Sequence, residues 1–172
     1  DREGKIEYAD QGTLFLDEVG EMPLATQVKF LRVIEDREVA RLGANRGRKV
    51  DVRVVAATNA DLTEKVQRGE FRQDLYFRLK VVTIDLPPLR QRRGDISLLV
   101  DHFLQLMRQQ HNKDIDAIDR DAMVALVQYD WPGNVRELRN AIESMVVRAR
   151  GNILTRQDLP PEIWARTSCT RC

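Results

Sequence analysis

The sequence predicts an α/β domain of parallel strands that gives way to a small all-helical lobe. Three observations predict it: an apolar run, Gly12-Thr13-Leu14-Phe15-Leu16, that stops on Asp17-Glu18; strand patterns alternating with helical ones to about residue 89; and helical periodicity alone beyond that point. In a parallel sheet, ligands sit beyond the carboxyl ends of the strands. An acid pair there can hold a hard cation and orient a water beside a phosphate. The competing reading of the same residues is a buried strand followed by a polar turn.

Residues 13–18 read as a buried strand. Pro23 suits the first turn of a helix, where its missing N–H costs nothing. Leu24, Val28, Leu31 and Ile34 follow at helical spacing, with Lys29, Arg32 and Glu35 off that stripe. Gly43-Ala44-Asn45-Arg46-Gly47 is a loop by residue type. Residues 49–57 read as a second strand, solvated at its start, where Val50, Val52 and Val54 alternate with Asp51 and Arg53. It is buried at its end, through Val55-Ala56-Ala57. Asp61 or Asn59 can cap a short helix ending near Gly69, and a second helical piece spans Phe71 to Leu79. Val81-Val82-Thr83-Ile84-Asp85-Leu86 reads as a third strand, stopped by Pro87-Pro88.

From Arg90-Gln91-Arg92-Arg93-Gly94-Asp95 onward the pattern is helical, with Asp95 a candidate N-cap. Ile96, Leu99, Val100, Phe103 and Met107 mark one amphipathic helix, and Asp119 caps a shorter one. Trp131-Pro132-Gly133 is a turn. Asn134 with Glu137 three residues on resembles a capping box, opening a helix whose stripe is Val135, Leu138, Ile142, Met145 and Ala149.

Composition excludes several classes. The 172 residues are 42% hydrophobic and 32% charged with a formal net charge of +1, so no global charge directs the chain to nucleic acid or membrane. No run has the length of a transmembrane helix. The two cysteines, Cys169 and Cys172, sit in the last four residues, which argues against a disulfide framework and suits a reducing cytoplasm. A zinc site built on them lacks further ligands at finger spacing.

Few groups have the placement for chemistry. Asp17 is placed to hold Mg²⁺ through water, and Glu18 to polarise an attacking water. Thr58-Asn59 closes the neighbouring strand, so the Asn59 amide can reach the same crevice, or can simply cap the next turn. Arg136 falls in the first turn of its helix, where a cation is unfavourable. Either an anion lies nearby or the side chain points into water. Arg72 and Arg78, six residues apart, do not share a face on a continuous helix.

In this order, the blocks Gly12-Thr13-Leu14-Phe15-Leu16-Asp17-Glu18-Val19-Gly20-Glu21-Met22-Pro23, Val52-Arg53-Val54-Val55-Ala56-Ala57-Thr58-Asn59, Phe71-Arg72-Gln73-Asp74-Leu75-Tyr76-Phe77-Arg78-Leu79, Leu86-Pro87-Pro88-Leu89-Arg90 and Trp131-Pro132-Gly133-Asn134-Val135-Arg136-Glu137-Leu138 closely resemble the AAA+ domain of sigma-54-dependent bacterial transcription activators. The resemblance runs from about Gly4 to Ile163. It implies a partial P-loop-type AAA+ core over residues 1–89, a helical lid over 90–163 and a tail or linker over 164–172. It also implies that Asp17 and Glu18 are the Walker B acids, Asn59 the sensor I residue and Arg136 the sensor II arginine of the lid. Arg72 and Arg78 become the pair presented to a neighbouring subunit's nucleotide, which removes the spacing objection. The implied cofactors are ATP and Mg²⁺. The implied assembly is a ring, usually a hexamer, that remodels sigma-54 RNA polymerase, with DNA bound through a helix-turn-helix domain that this sequence lacks.

The departures are equally definite. No Gly-x-x-x-x-Gly-Lys-Ser/Thr run occurs, and the family's GAFTGA loop is absent. The chain therefore reads as the C-terminal two-thirds of the domain, inert alone even where its parent is an ATPase. The alternatives are another AAA+ remodelling ATPase and a non-enzymatic remnant that only assembles with partners or binds DNA.

Overall fold

The computed structural model describes residues 4–39 and 47–167, with the side chains of 165–167 left aside. The loop expected at Gly43–Gly47 lies almost wholly outside the described residues, as do Cys169 and Cys172. The chain divides into two compact units, one up to Ile84 and one from Asp85.

In the first unit, a short helix α1 (Lys5–Tyr8) leads into strand β1 (Thr13–Leu16), helix α2 (Leu24–Asp36) and a two-residue hairpin, β2 (Glu38–Val39) with β3 (Arg48–Lys49). Strand β4 (Arg53–Ala56) follows, then helices α3 (Leu62–Gln67) and α4 (Gln73–Leu79). β1 and β4 pair in parallel, Thr13 opposite Arg53 and Leu16 opposite Ala56. Leu14, Leu16 and Val54 turn one face of this pair onto a core of Val19, Phe30, Phe71 and Leu75.

Four sequence expectations are corrected here. The single strand expected over 49–57 is two, because the chain changes partners at Val50 and Asp51. The Val50 N–H donates to the Arg37 carbonyl (2.8 Å), and the Asp51 carbonyl accepts from the Gln11 N–H (2.7 Å). β1 and the end of β4 are not fully buried: Phe15 is 60% and Val55 40% exposed, so the pair follows the period-two pattern of a sheet covered on one face. The stripe expected on α2 is rotated. Leu24 and Val28 are exposed, while Gln27 and Phe30 are buried and Leu31 and Ile34 pack against the core. The strand expected at Val81–Leu86 does not form, because a strand needs a ladder partner and none of the described strands pairs with this segment.

The second unit holds helix α5 (Gly94–His111), strand β5 (Ala117–Ile118), helix α6 (Arg120–Gln128), helix α7 (Asn134–Arg148), strand β6 (Ile153–Leu154) and helix α8 (Pro161–Thr167). β5 and β6 pair in parallel. α8 crosses the boundary at Ile163 where the sequence sets off a tail. Ile96, Val100, Phe103 and Met107 of α5 pack with Leu138, Ile142 and Met145 of α7 in one apolar cluster, along the stripes the sequence spacing gives. Asp119 caps α6 as expected, accepting the Ala122 N–H at 2.6 Å. Asp95 is no cap, since α5 starts at Gly94. Asn134 does not close a capping box either: its Oδ1 accepts the Leu89 N–H (2.8 Å), and Glu137 reaches back to the Gly133 N–H (2.8 Å) instead.

Trp131 anchors this unit. It is fully buried, and its indole N–H donates to the Leu126 carbonyl at 2.8 Å. Its φ of 50° is left-handed, a strained conformation for a bulky residue. Trp131→Ala opens a cavity and removes that bond, so denaturant unfolding of this unit should show a loss of about 3–5 kcal/mol. A loss under about 1 kcal/mol would show that the tryptophan is not the anchor.

Candidate functional site

β1 delivers its acids in a tightly fixed turn. The ladder continues past the strand ends, with the Ala57 N–H donating to the Leu16 carbonyl (2.8 Å) and the Val19 N–H to the Ala57 carbonyl (2.9 Å). Between these bonds lie Asp17 and Glu18, both exposed. Glu18 sits at φ 52°, ψ 44°, a left-handed conformation that costs a non-glycine residue about 1–3 kcal/mol and that clusters at functional sites. Its N–H donates to Asp17 Oδ1 at 3.0 Å.

Two further contacts hold the turn from below. Gly20 lies so close to the strand end after β4 that a Cβ on it would stand 2.8 Å from Thr58 Oγ1. Lys65 of α3 donates to the Gly20 carbonyl (2.9 Å) and to Glu21 Oε1 (2.7 Å).

The parallel register puts Thr58-Asn59 at the same end of the pair as Asp17-Glu18. Asn59 is exposed and does not cap the next helix. Asp61 does, accepting the N–H groups of Thr63 (2.8 Å) and Glu64 (3.1 Å). The capping alternative for Asn59 is thereby removed. Three oxygen-bearing side chains stand in water where a parallel sheet presents ligands. The donor set fits Mg²⁺, which takes oxygen ligands and keeps several waters, so that one exposed carboxylate suffices.

Arg72 and Arg78 stand at opposite ends of α4 and do not meet a common partner. Arg72 precedes the helix as its N-cap residue and pairs with Asp74, donating from Nε to Oδ1 (3.1 Å) and from an Nη to Oδ2 (2.7 Å). Arg78, in the last turn, donates from Nε to Glu35 of α2 at 2.9 Å. Both guanidiniums remain partly open to solvent. The paired hydrogen bonds from Arg72 hold Asp74 below the usual carboxylate range; partial desolvation opposes this and the Leu75 N–H adds to it. The same pairing raises Arg72.

Arg136 belongs to the other unit, in the first turn of α7. It is exposed and forms no ion pair among the described residues. It lines a groove of about 540 Å³ with Asn140, Ser144 and Arg148, one face of the helix at four-residue steps, closed on the far side by Pro160 and Pro161. Sequence reasoning missed Gln27, Lys65 and Asp74. Gln27 had a signal: with Phe30, Leu31 and Ile34 it completes an i, i+3, i+4, i+7 stripe, and a polar member of a buried stripe needs partners.

Acids and an amide stand at one end of a parallel strand pair in the first unit, and the second unit is a helical lobe that carries an arginine. Comparison with known proteins shows the family. The sigma-54 interaction domain pattern matches residues 1–85 and the AAA+ ATPase lid domain pattern matches residues 90–171. The chain belongs to the sigma-54 interaction domain family of AAA+ proteins. It is 52% identical over 162 residues to the regulatory protein AtoC of Escherichia coli, covering 94% of this chain and 35% of that protein. It is 52% identical over 164 residues to the transcriptional regulatory protein ZraR of Salmonella typhimurium, covering 95% of this chain and 37% of that protein. Among solved structures, NtrX from Brucella abortus in complex with ATP superposes with a TM-score of 0.89 at 40% identity, over 95% of this chain and 38% of NtrX. The chain thus spans little more than a third of the length of these relatives. No helix among the described residues is long and apolar enough to cross a membrane.

The Arg72–Asp74 pair has a readable pH dependence. Because the folded pKa of Asp74 is depressed, the pair's contribution is present above the ordinary aspartate value and is lost as pH falls through the lower folded one. In a carboxyl NMR titration Asp74 should titrate below its usual range, and Arg72→Ala should return it toward that range. Identical titrations in both proteins would show that the pair does not form in solution.

Proposed function

We propose that this chain is the catalytic-acid and lid portion of an ATPase that remodels sigma-54 RNA polymerase in the bacterial cytoplasm. In this reading it acts with a phosphate-binding loop and a DNA-binding helix-turn-helix carried elsewhere in a longer polypeptide. One observation carries the reading: the left-handed, clamped turn that holds Asp17 and Glu18 exposed at the carboxyl end of β1, beside Asn59. The ATP in the NtrX relative supports nucleotide as the ligand. The exposure of Phe15, Val55, Val81, Val82, Ile84 and Leu86 supports a larger assembly, since so much uncovered apolar surface marks a contact region.

The family resemblance and the positions of the side chains support the following roles. Bound ATP with Mg²⁺ would supply the phosphoryl group transferred to water, and the metal would neutralise charge developing on the phosphates. Asp17 would hold the metal through water. Glu18, its backbone fixed by the bonds on either side of the turn, would orient and polarise the attacking water. The Asn59 carboxamide would hold that water or a terminal phosphate oxygen. Arg136 would bring positive charge from the lid to the phosphates. Arg72 and Arg78, pointing to different partners on their own subunit, would serve the neighbouring subunit's nucleotide in a ring, usually a hexamer. Each would exchange Asp74 or Glu35 for a phosphate.

The acids should be separable in the full-length protein. Asp17→Ala is expected to weaken Mg²⁺-nucleotide binding as well as turnover, whereas Glu18→Gln should keep binding and lose hydrolysis. Nucleotide affinity and turnover measured on both decide this; normal turnover by Glu18→Gln removes the assignment. This chain by itself should bind ATP very weakly in calorimetry, because most phosphate affinity comes from backbone N–H groups and a lysine of a loop it does not contain.

Arg78→Ala should abolish hydrolysis with nucleotide binding nearly unchanged, an arginine finger contributing on the order of 10³-fold or more. Mixing it with the Glu18→Gln protein should restore some activity, since an intact Glu18 then meets an intact Arg78 of the next subunit. Mixed rings that assemble and bind ATP yet recover no turnover would leave Arg78 as a brace between α4 and α2.

A further inference from the structure

Gln27 is fully buried on α2, and both its Nε2 and its Oε1 are bonded to the two adjoining loops. Its Nε2 donates to the Met22 carbonyl at 2.7 Å and to the Glu70 carbonyl at 3.1 Å, and its Oε1 accepts the Arg72 N–H at 2.8 Å. Met22 ends the turn that begins with Asp17 and Glu18. Glu70 and Arg72 flank Phe71, itself 2% exposed, in the segment that delivers Arg72 to the start of α4. One carboxamide therefore ties the acid turn to the backbone of the arginine.

We infer that Gln27 is a positioning residue that fixes Arg72 relative to the acid turn of its own subunit. The inference rests on the reading that Arg72 meets a neighbour's phosphates. A buried carboxamide is tolerated only when its donors and acceptor are satisfied, and an apolar side chain here would remove the partner of two main-chain carbonyls and of the Arg72 N–H. Here each partner is a main-chain group of a loop that bears a candidate site residue. The Arg72 side chain is long and its guanidinium is partly open to solvent, so once it leaves Asp74 for a phosphate its reach is set from the anchor that remains, the N–H held by Gln27. Any displacement of Met22 reaches Arg72 through a single side chain, which couples the state of one site to the arginine offered to the next.

Two measurements test this. The first is hydrogen exchange on this chain. In Gln27→Met, which keeps the reach and loses every bond, the Arg72 amide should exchange at least about tenfold faster, as expected for a buried bond removed, while amides within α2 and α4 keep their protection. The second is a turnover cycle in the full-length protein. Gln27→Met should lower kcat with KM for ATP unchanged and cause no further loss on an Arg72→Ala background. Gln27→Leu, which also loses every bond and fills much of the same volume, answers in place of Gln27→Met should that variant not fold. Unchanged Arg72 exchange in Gln27→Met overturns the proposal, as do losses that multiply independently with Arg72→Ala. If Arg72→Ala alone leaves turnover intact, the arginine reading fails, and the exchange result still decides whether Gln27 positions that backbone.

Discussion

The parallel pairing of β1 with β4 is the constraint on which the first unit depends. Its register, Leu16 opposite Ala56, sends two strand ends out side by side, so that Asp17-Glu18 and Thr58-Asn59 emerge together. The ladder does not stop there. The Val19 N–H reaches the Ala57 carbonyl and pulls the chain into the turn where Glu18 takes its left-handed conformation. A slip by one residue would turn Leu14 and Leu16 off the core and scatter the polar end groups at once. Core packing and site geometry are thus set by the same four residue pairs.

The turn is held from several directions because an exposed acid pair gains nothing from burial. Val19 inserts into the core, Gly20 lets Thr58 approach, Lys65 holds the Gly20 carbonyl and Gln27 holds Met22. Strain at Glu18 persists because these contacts over-determine it. In the proposed reading the charged side chains are left free to meet a cation and a water, while hydrogen bonds hold the backbone that aims them, the division expected of a preorganised site.

The helical lobe was legible in the sequence almost residue by residue. Ile96, Val100, Phe103 and Met107, and Leu138, Ile142, Met145 and Ala149, all lie in one core, because a helix makes its own backbone bonds and periodicity alone reports its buried face. The strands were less legible, since a strand depends on a partner distant in sequence. Val81–Leu86 has the composition of a strand and no ladder partner among the described residues, and 49–57 divides at Val50 because two partners compete for it. Asp17, Glu18 and Asn59 could be placed from strand ends, and Arg72 and Arg78 from the resemblance. The stripe marks Gln27 as a buried polar residue, but its partners escaped because its contacts span Met22 to Arg72, a separation no local pattern encodes. The capping of α7 escaped for the same reason: Asn134 is taken by Leu89, far away in the chain.

The shared site of Asp17, Glu18 and Asn59 is tested most directly with a paramagnetic metal. Mn²⁺ with a non-hydrolysable ATP analogue, bound to full-length protein labelled at asparagine side-chain nitrogens, should broaden the Asn59 carboxamide resonance, and Asp17→Ala should abolish the broadening. An Asn59 resonance that keeps its linewidth in protein saturated with Mn²⁺ and nucleotide would contradict a common site at the ends of β1 and β4.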